Sequence, residues 1–220
     1  MSLSIGFLVF PAVQQLDLTA PYEVFASLPG ASTHLIWKEV APLTASTGLR
    51  LFPTVDFAGC PPLDILLVPG GAGVNALLID EAVLDFLREK AAAARFVASV
   101  CTGALLLGAA GLLRGRRAAT HWNARDFLPV FGAQPVAERV VRDGALFSAG
   151  GVTAGIDLAL ALVAEVAGRP AAEVLQLSLE YAPAPPFDAG LPERASPAVL
   201  AEARARLASS RAEREKLLGL

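Results

Sequence analysis

The chain has 220 residues, a length that fits one domain of ordinary size, or two at most. Its 54% hydrophobic and 18% charged residues exclude a disordered chain, and the net charge of −3 disfavours binding to nucleic acid or to an anionic membrane. No apolar run approaches the ~18 residues that a bilayer crossing needs, and the apolar N-terminus lacks the basic start of a signal peptide. We therefore expect a compact, oligomeric protein of the cytoplasm.

Short apolar runs alternate with helical patterns along most of the chain, which is typical of a mostly parallel sheet covered on both faces. In chain order, the patterns predict strands at 4–10, 33–39, 64–68, 95–100 and 118–121, and helices at 19–28, 80–94, 102–113, 153–166 and 171–181. Segments 137–142 and 146–148 flank Asp143-Gly144 and predict a small hairpin. The fold class that follows is α/β.

The chain changes character after the last of these helices. Residues 182–192 form a Pro-rich segment, which predicts extended chain laid over the surface or over a partner. Residues 193–220 are densely charged and predict an exposed amphipathic helix. We assign residues 1–192 to one domain and residues 193–220 to a helix that belongs to the same domain or forms a dimer contact.

The most informative stretch is residues 95–113, where an apolar strand ends on Cys101 and a helix begins within two residues. Small residues, Ser99 and Gly103, flank the cysteine, as in a nucleophile elbow that projects a reactive atom at the carboxyl end of a sheet. The helix N-terminus favours a thiolate. The alternative is a buried cysteine at a strand end. Cys60 lies in a Pro-rich loop with no such setting and is predicted to be inert.

A cysteine nucleophile needs a proton source and donors for developing negative charge. Thr102 follows the cysteine directly, and Gly71, in the loop after strand 64–68, is placed to supply a second backbone N–H. Asp17 stands among leucines after the first strand, where burial would shift its pKa. The competing interpretation makes Asp17 the N-cap of the helix at Thr19.

The two histidines have different predicted roles. His34 lies in a strand pattern far from any motif, whereas His121 follows a predicted strand and is expected in the wall of the pocket or supporting it, rather than as an obligatory base. No cluster of His, Cys or carboxylates has ligand spacing, and no dinucleotide or Walker A motif is present. The sequence therefore predicts no metal site and no cofactor.

Several motifs together resemble the ThiJ/PfpI superfamily of the class I glutamine amidotransferase-like fold. They are Pro69–Gly71, Val100–Gly103, Gly108–Leu113, Thr120–Trp122 and Gly151–Asp157. Within that superfamily, Gln14–Thr19 and Leu179–Phe187 look like the corresponding segments of isocyanide hydratases. The resemblance implies a flavodoxin-like three-layer sandwich with a nucleophile-elbow cysteine, a small hairpin and a C-terminal helical extension.

The same resemblance implies that Cys101 is the nucleophile, Asp17 its acid/base partner and Thr102 a supporting polar residue, with Gly70 and Val152 in the pocket wall. It also implies a homodimer that hydrates a small apolar isocyanide to a formamide through a thioimidate. The alternatives are a glyoxalase-like enzyme acting on 2-oxoaldehydes and a non-enzymatic redox sensor that oxidises at Cys101. Thr102 stands where peptidase-type members have histidine, which argues against a protease.

Overall fold

A seven-stranded sheet runs through the middle of the protein, in a computed structural model that describes residues 3–220. The strands of the described chain are β1 (Leu3–Leu8), β2 (Ala31–Trp37), β3 (Leu43–Thr44), β4 (Arg50–Leu51), β5 (Val55–Asp56), β6 (Ile65–Val68), β7 (Phe96–Val100), β8 (Arg117–Ala118), β9 (Gln134–Pro135), β10 (Val140–Asp143) and β11 (Leu146–Ala149). The helices are α1 (Gln15–Ala26), α2 (Val74–Leu77), α3 (Glu81–Ala93), α4 (Gly103–Ala109), α5 (Ala154–Ala167), α6 (Arg169–Ser178) and α7 (Pro197–Leu218), with a 3₁₀ helix at Trp122–Phe131.

The order of strands across the main sheet is β10-β11-β7-β6-β1-β2-β5. Every neighbouring pair is parallel except β10 and β11, which form the predicted hairpin as an antiparallel edge. The central strands β6 and β7 are almost entirely buried, as expected of parallel strands covered on both faces. The mostly parallel α/β sandwich predicted from the alternation of patterns is thus confirmed.

Two helices and one strand differ clearly from their predicted bounds. Helix α1 begins at Gln15 rather than Thr19, so that Pro21 lies inside the helix rather than in its first turn. Helix α4 ends at Ala109, well before residue 113, because Gly111 takes a positive φ of 81° that a continuing helix does not allow. The predicted strand at 118–121 contains only the end of β8, and the 3₁₀ helix follows it.

Helix α7 packs against α2 and the 3₁₀ helix of its own chain. Asn75 of α2 donates from Nδ2 to the carbonyl oxygen of Ser210 at 2.8 Å and to Glu213 Oε2 at 2.7 Å. The only fully buried residue on this helix is Arg214. The less exposed side chains of α7 recur at helical spacing on the face turned to the domain and include Leu207, Ser210, Arg214 and Leu218. The amphipathic character of this helix stays a prediction. No helix among residues 3–220 is both long and apolar enough to span a bilayer.

Candidate active site

Cys101 sits on the sharp turn between β7 and α4, at the carboxyl end of the sheet. It is one of three non-glycine residues within 3–220 with positive φ, at 55°, a conformation that costs a residue with a side chain about 1 kcal/mol or more. Its N–H donates to the carbonyl of Ala149 at 3.1 Å, and its own carbonyl accepts from Thr120 Oγ1 at 2.7 Å. These two hydrogen bonds hold the strained turn, and they give Thr120 a positioning role that sequence reasoning did not assign.

The turn requires a glycine directly after Cys101 and Thr102. A Cβ on Gly103 would lie 2.1 Å from the carbonyl oxygen of Val68 and 2.8 Å from that of Pro69. Helix α4 can therefore start directly against the end of β6 only because residue 103 has no side chain. This close approach brings the Cys101 turn and the Pro69–Gly71 loop together.

Asp17 lies in the first turn of α1, fully buried, and the residue that caps this helix is Gln14. The alternative that Asp17 serves as the helix N-cap is therefore wrong. Its Oδ2 accepts a hydrogen bond from the N–H of Gly70 at 3.0 Å, while Oδ1 has no hydrogen-bond partner among residues 3–220. The Asp17 carboxyl is thus fixed at one oxygen and uncommitted at the other.

Gly70 lies between Asp17 and Thr102, in a space that has no room for a side chain. A Cβ at position 70 would lie 2.6 Å from Thr102 N and 2.8 Å from Asp17 Oδ2. The sequence predicts that Gly70 lies in the pocket wall or supports the site. Its missing side chain lets the Asp17 carboxyl approach the Cys101–Thr102 turn, and its N–H holds that carboxyl.

The pKa values of Asp17 and Cys101 are both raised. Burial raises the pKa of the Asp17 carboxyl to about 7, against the opposing effects of the Gly70 N–H and of the neighbouring Cys101 thiol. Burial, and then the charge of Asp17, raise the pKa of the Cys101 thiol well above its usual range, while the Thr102 N–H favours the thiolate. The two groups therefore resist carrying negative charge at the same time, and together they hold a proton at neutral pH.

The predicted backbone donors are only partly free. The N–H of Gly71 donates to Thr102 Oγ1 at 3.1 Å, and the N–H of Gly70 is taken by Asp17. In this structure the hydroxyl of Thr102 accepts from the Gly71 N–H, and the role of Gly71 as a donor to a developing negative charge stays a prediction. The Thr102 N–H is the backbone donor that favours the thiolate form of Cys101.

His121 lies in the wall of the site with its ring neutral. Its Nδ1 accepts from the N–H of Asn123 at 3.3 Å, and burial, reinforced by the charge of Arg214, lowers its pKa to about 4. A base with so low a pKa removes a proton from a substrate inefficiently at neutral pH. The position of His121 agrees with the expectation of a wall residue rather than an obligatory base.

A cavity of about 330 Å³ opens directly onto the cysteine. Its lining includes Cys101, Thr102, Gly71, His121 and Val152, the candidate residues that the sequence placed there, whereas Asp17 lies beneath the wall. The opposite side of the cavity comes from α7, with Leu207, Ser210 and Arg214. Sequence reasoning missed these residues, since nothing local in the charged C-terminal segment indicates which of its arginines turns inward.

Other cysteines, histidines and carboxylates fall outside the site. Cys60 is buried near the Lys90 side chain, away from the cavity, and His34 lies in β2. A groove of about 820 Å³ elsewhere on α7 contains neither Cys101 nor Asp17. Within residues 3–220, no cluster of three or more His, Cys, Asp or Glu side chains is arranged to hold a metal ion.

The fold and the site define a class of protein: an α/β sandwich that carries a buried cysteine on a nucleophile elbow beside a carboxyl group of raised pKa. Comparison with known proteins specifies the family within that class. The sequence pattern of the DJ-1/PfpI family matches residues 3–165, and the chain belongs to that family.

Individual relatives show how far the likeness extends. The chain is 61% identical over 210 residues to an isonitrile hydratase of Pseudomonas putida, an alignment that covers 96% of this chain and 92% of the relative. A crystal structure of a ThiJ/PfpI family protein from Pseudomonas syringae superposes with a TM-score of 0.96 at 40% identity, covering 100% of this chain and 92% of that one. A deglycase of Pyrococcus horikoshii is 26% identical over 64% of this chain and 86% of its own length.

Proposed function

We propose that the protein is an isocyanide hydratase, which adds water to an isocyanide and releases an N-substituted formamide. The observation that carries the proposal is the Cys101 thiol on its strained turn, facing a small cavity with the Asp17 carboxyl beneath it. The similarity to an isonitrile hydratase over 96% of the chain supports the same activity. By comparison, the deglycase relative is far more distant, which makes the glyoxalase-like alternative the weaker one.

The first step uses the proton that the Cys101–Asp17 pair holds. The Cys101 sulfur attacks the terminal carbon of the isocyanide, and Asp17, as the acid, delivers the pair's proton to that carbon. A C–S bond and a C–H bond form, the carbon–nitrogen triple bond becomes a double bond, and the product is a thioimidate on Cys101. The Thr102 N–H stabilises the sulfur in its anionic form.

In the second step Asp17, now a carboxylate, acts as a base. It takes a proton from water, whose oxygen attacks the thioimidate carbon, and Asp17 passes that proton to the nitrogen. The C–S bond of the tetrahedral intermediate then breaks, the proton of its hydroxyl returns to the Asp17–Cys101 pair, and the formamide leaves. A carboxyl with a pKa of about 7 is suited to both roles, because it gives and takes a proton near neutral pH.

The redox-sensor alternative fits the site less well. Sensor cysteines are accessible and have a lowered pKa. Here Cys101 is 6% exposed, and burial raises its pKa. Selective oxidation of Cys101 by mild peroxide, in a protein that turns over neither isocyanides nor 2-oxoaldehydes, would favour the sensor.

The proposal predicts that the protein converts an aryl isocyanide to its formamide and that Cys101→Ala lowers the rate by ~10³-fold or more, because no other group supplies the sulfur. Formamide formation is followed by liquid chromatography. Cys60→Ala is the matched control and should keep full activity, since Cys60 lies outside the cavity. Absence of formamide with folded wild-type protein, or consumption of methylglyoxal instead, would reject the assignment.

We further propose that two copies of the chain form a homodimer and that the protein works in the cytoplasm. Support for the dimer comes from apolar side chains that lie exposed on and beyond α6, among them Val174, Leu177 and Phe187. A cytoplasmic location stays a prediction from the sequence.

A further inference from the structure

Arg214 is a charged side chain buried at the active-site cavity without a counterion. It is 4% exposed, lines the same 330 Å³ cavity as Cys101, and its guanidinium carbon lies 5.4 Å from the centre of the Phe127 ring. Its Nε has no hydrogen-bond partner, and its guanidinium forms no ion pair within residues 3–220. An unpaired buried cation is costly, so a partner for it is to be expected.

The other arginines of the cavity already have their counterions. Arg206 pairs with Glu202 at 2.9 Å, and Arg211 pairs with Asp126 and with Glu215. The cavity therefore has one uncompensated positive charge, that of Arg214. Burial lowers the pKa of this guanidinium, whereas Cys101, Glu213 and Asp126 raise it from beyond the distance of an ion pair. An arginine nevertheless stays charged at neutral pH.

From this arrangement we infer that Arg214 binds a carboxylate on the isocyanide substrate, and that the substrates are small isocyano carboxylates. The inference rests on the proposed function and specifies its substrate class. One uncompensated charge matches a monoanion, and the planar guanidinium presents paired N–H donors that suit the two oxygens of a carboxylate. The expectation of a largely apolar substrate then applies to the part of the molecule near Cys101, where Val152 and Ala124 form the wall.

Helix α7 holds Arg214 in place for this purpose. Asn75 of α2 fixes the backbone of Ser210 and the side chain of Glu213, both within the turn of helix that precedes Arg214. The Phe127 ring supports the guanidinium on one face. The substrate would thus lie between an elbow cysteine from the sheet and an arginine from the C-terminal helix.

The test compares two isocyanides that differ only in charge, 4-isocyanobenzoate and its methyl ester. The wild-type protein should show a higher kcat/KM for the carboxylate, and this preference should fall as ionic strength rises. In Arg214→Met, kcat/KM for the carboxylate should drop on the order of 100-fold, mainly through KM, while the ester should change less than about 3-fold. Arg214→Lys should give an intermediate loss, because it keeps the charge and loses the paired donors.

Arg204→Met is the matched control, since Arg204 is an exposed arginine on the same helix outside this cavity. Circular dichroism and thermal unfolding check that each variant is folded, and Arg214→Lys carries the test if Arg214→Met does not fold. Equal losses on both substrates would overturn the inference and show that Arg214 acts on the Cys101 thiolate. A wild-type protein without preference for the carboxylate would overturn it too.

The measurements distinguish a protein that is not a hydratase from a hydratase whose cavity does not bind a carboxylate. If neither isocyanide is turned over, the function fails, and calorimetric binding of 4-formamidobenzoate to wild type and Arg214→Met still decides whether the cavity holds a carboxylate. Binding that is equal in both proteins, or absent in both, would overturn the anion site. Turnover of the ester alone would preserve the function and reject the site.

Discussion

At the scale of single residues, the site depends on a carboxyl and a thiol that share a proton. Asp17 and Cys101 are buried and adjacent, so the ionisation of either raises the cost of ionising the other. The arrangement depends on Gly70, whose lack of a side chain admits the carboxyl, and on Thr120, which holds the cysteine turn from below. Asp17, Gly70 and Thr120 are all distant from Cys101 in the sequence, and Thr102 is the one sequence neighbour that takes part in these contacts.

The raised pKa of Asp17 makes folding stability depend on pH. Its pKa rises from 3.8 to about 7 on folding, so the folded state binds the proton more tightly, and stability is lost as pH rises from about 4 to about 7. Asp17→Asn removes this loss. We expect the variant to match the wild type near pH 4 and to exceed its free energy of unfolding at pH 8 by up to about 4 kcal/mol.

Urea unfolding at pH 4.5, 6 and 8 measures this difference. The same variant should lose most of its hydratase activity at all three values, because Asn neither gives nor takes the proton. A stability difference that stays constant across the pH range would contradict the assignment of a shifted pKa to Asp17.

At the scale of elements, the C-terminal helix completes the site. Helix α7 closes one side of the cavity, and it is tied to the domain by Asn75, whose side chain reaches residues 135 or more positions away in the chain. Polar anchoring of this kind is directional. It sets the rotation of the helix, which places Arg214 as the buried arginine of the cavity.

Removing the anchor should loosen the helix. In Asn75→Ala, the carbonyl of Ser210 and the carboxylate of Glu213 lose their donor, and we expect the free energy of unfolding to fall by about 1–3 kcal/mol. Hydrogen exchange in residues 197–218 should increase relative to the rest of the chain. The exposed ion pair between Glu202 and Arg206 serves as the control, because Glu202→Gln should change the free energy of unfolding by less than about 0.5 kcal/mol. Unchanged exchange in α7 would show that other contacts hold the helix.

At the scale of the whole molecule, apolar surface remains that the single chain does not cover. Leu177 is 81% exposed and Phe187 is 80% exposed, at and beyond the end of α6. We therefore expect sedimentation velocity to give twice the chain mass of 22.8 kDa. Leu177→Glu should shift the protein toward the single chain, because it places a charge in the dimer contact. Ile79→Glu, at an exposed position far from α6, is the control. A single chain for the wild type would reject the dimer.

Features that depend on residues close together in the chain could be predicted from the amino acids alone. Apolar runs broken by Gly and Pro predicted the parallel sheet, and the strand-to-helix change at Cys101 predicted the elbow, because both depend on residues a few positions apart. The placement of Asp17 near the cysteine could be suggested, since both follow strands that end at the same edge of the sheet.

Contacts between distant groups, and the donors that stay free, could be read from the folded chain alone. In the folded chain the N–H of Gly71 donates to the hydroxyl of Thr102, and the missing side chain of Gly70 leaves room for Asp17. Arg214 of the C-terminal helix lines the same cavity as Cys101. The physical reason is that burial and hydrogen bonding depend on packing in three dimensions. One arginine among the four of α7 is distinguished only by the direction in which packing turns it.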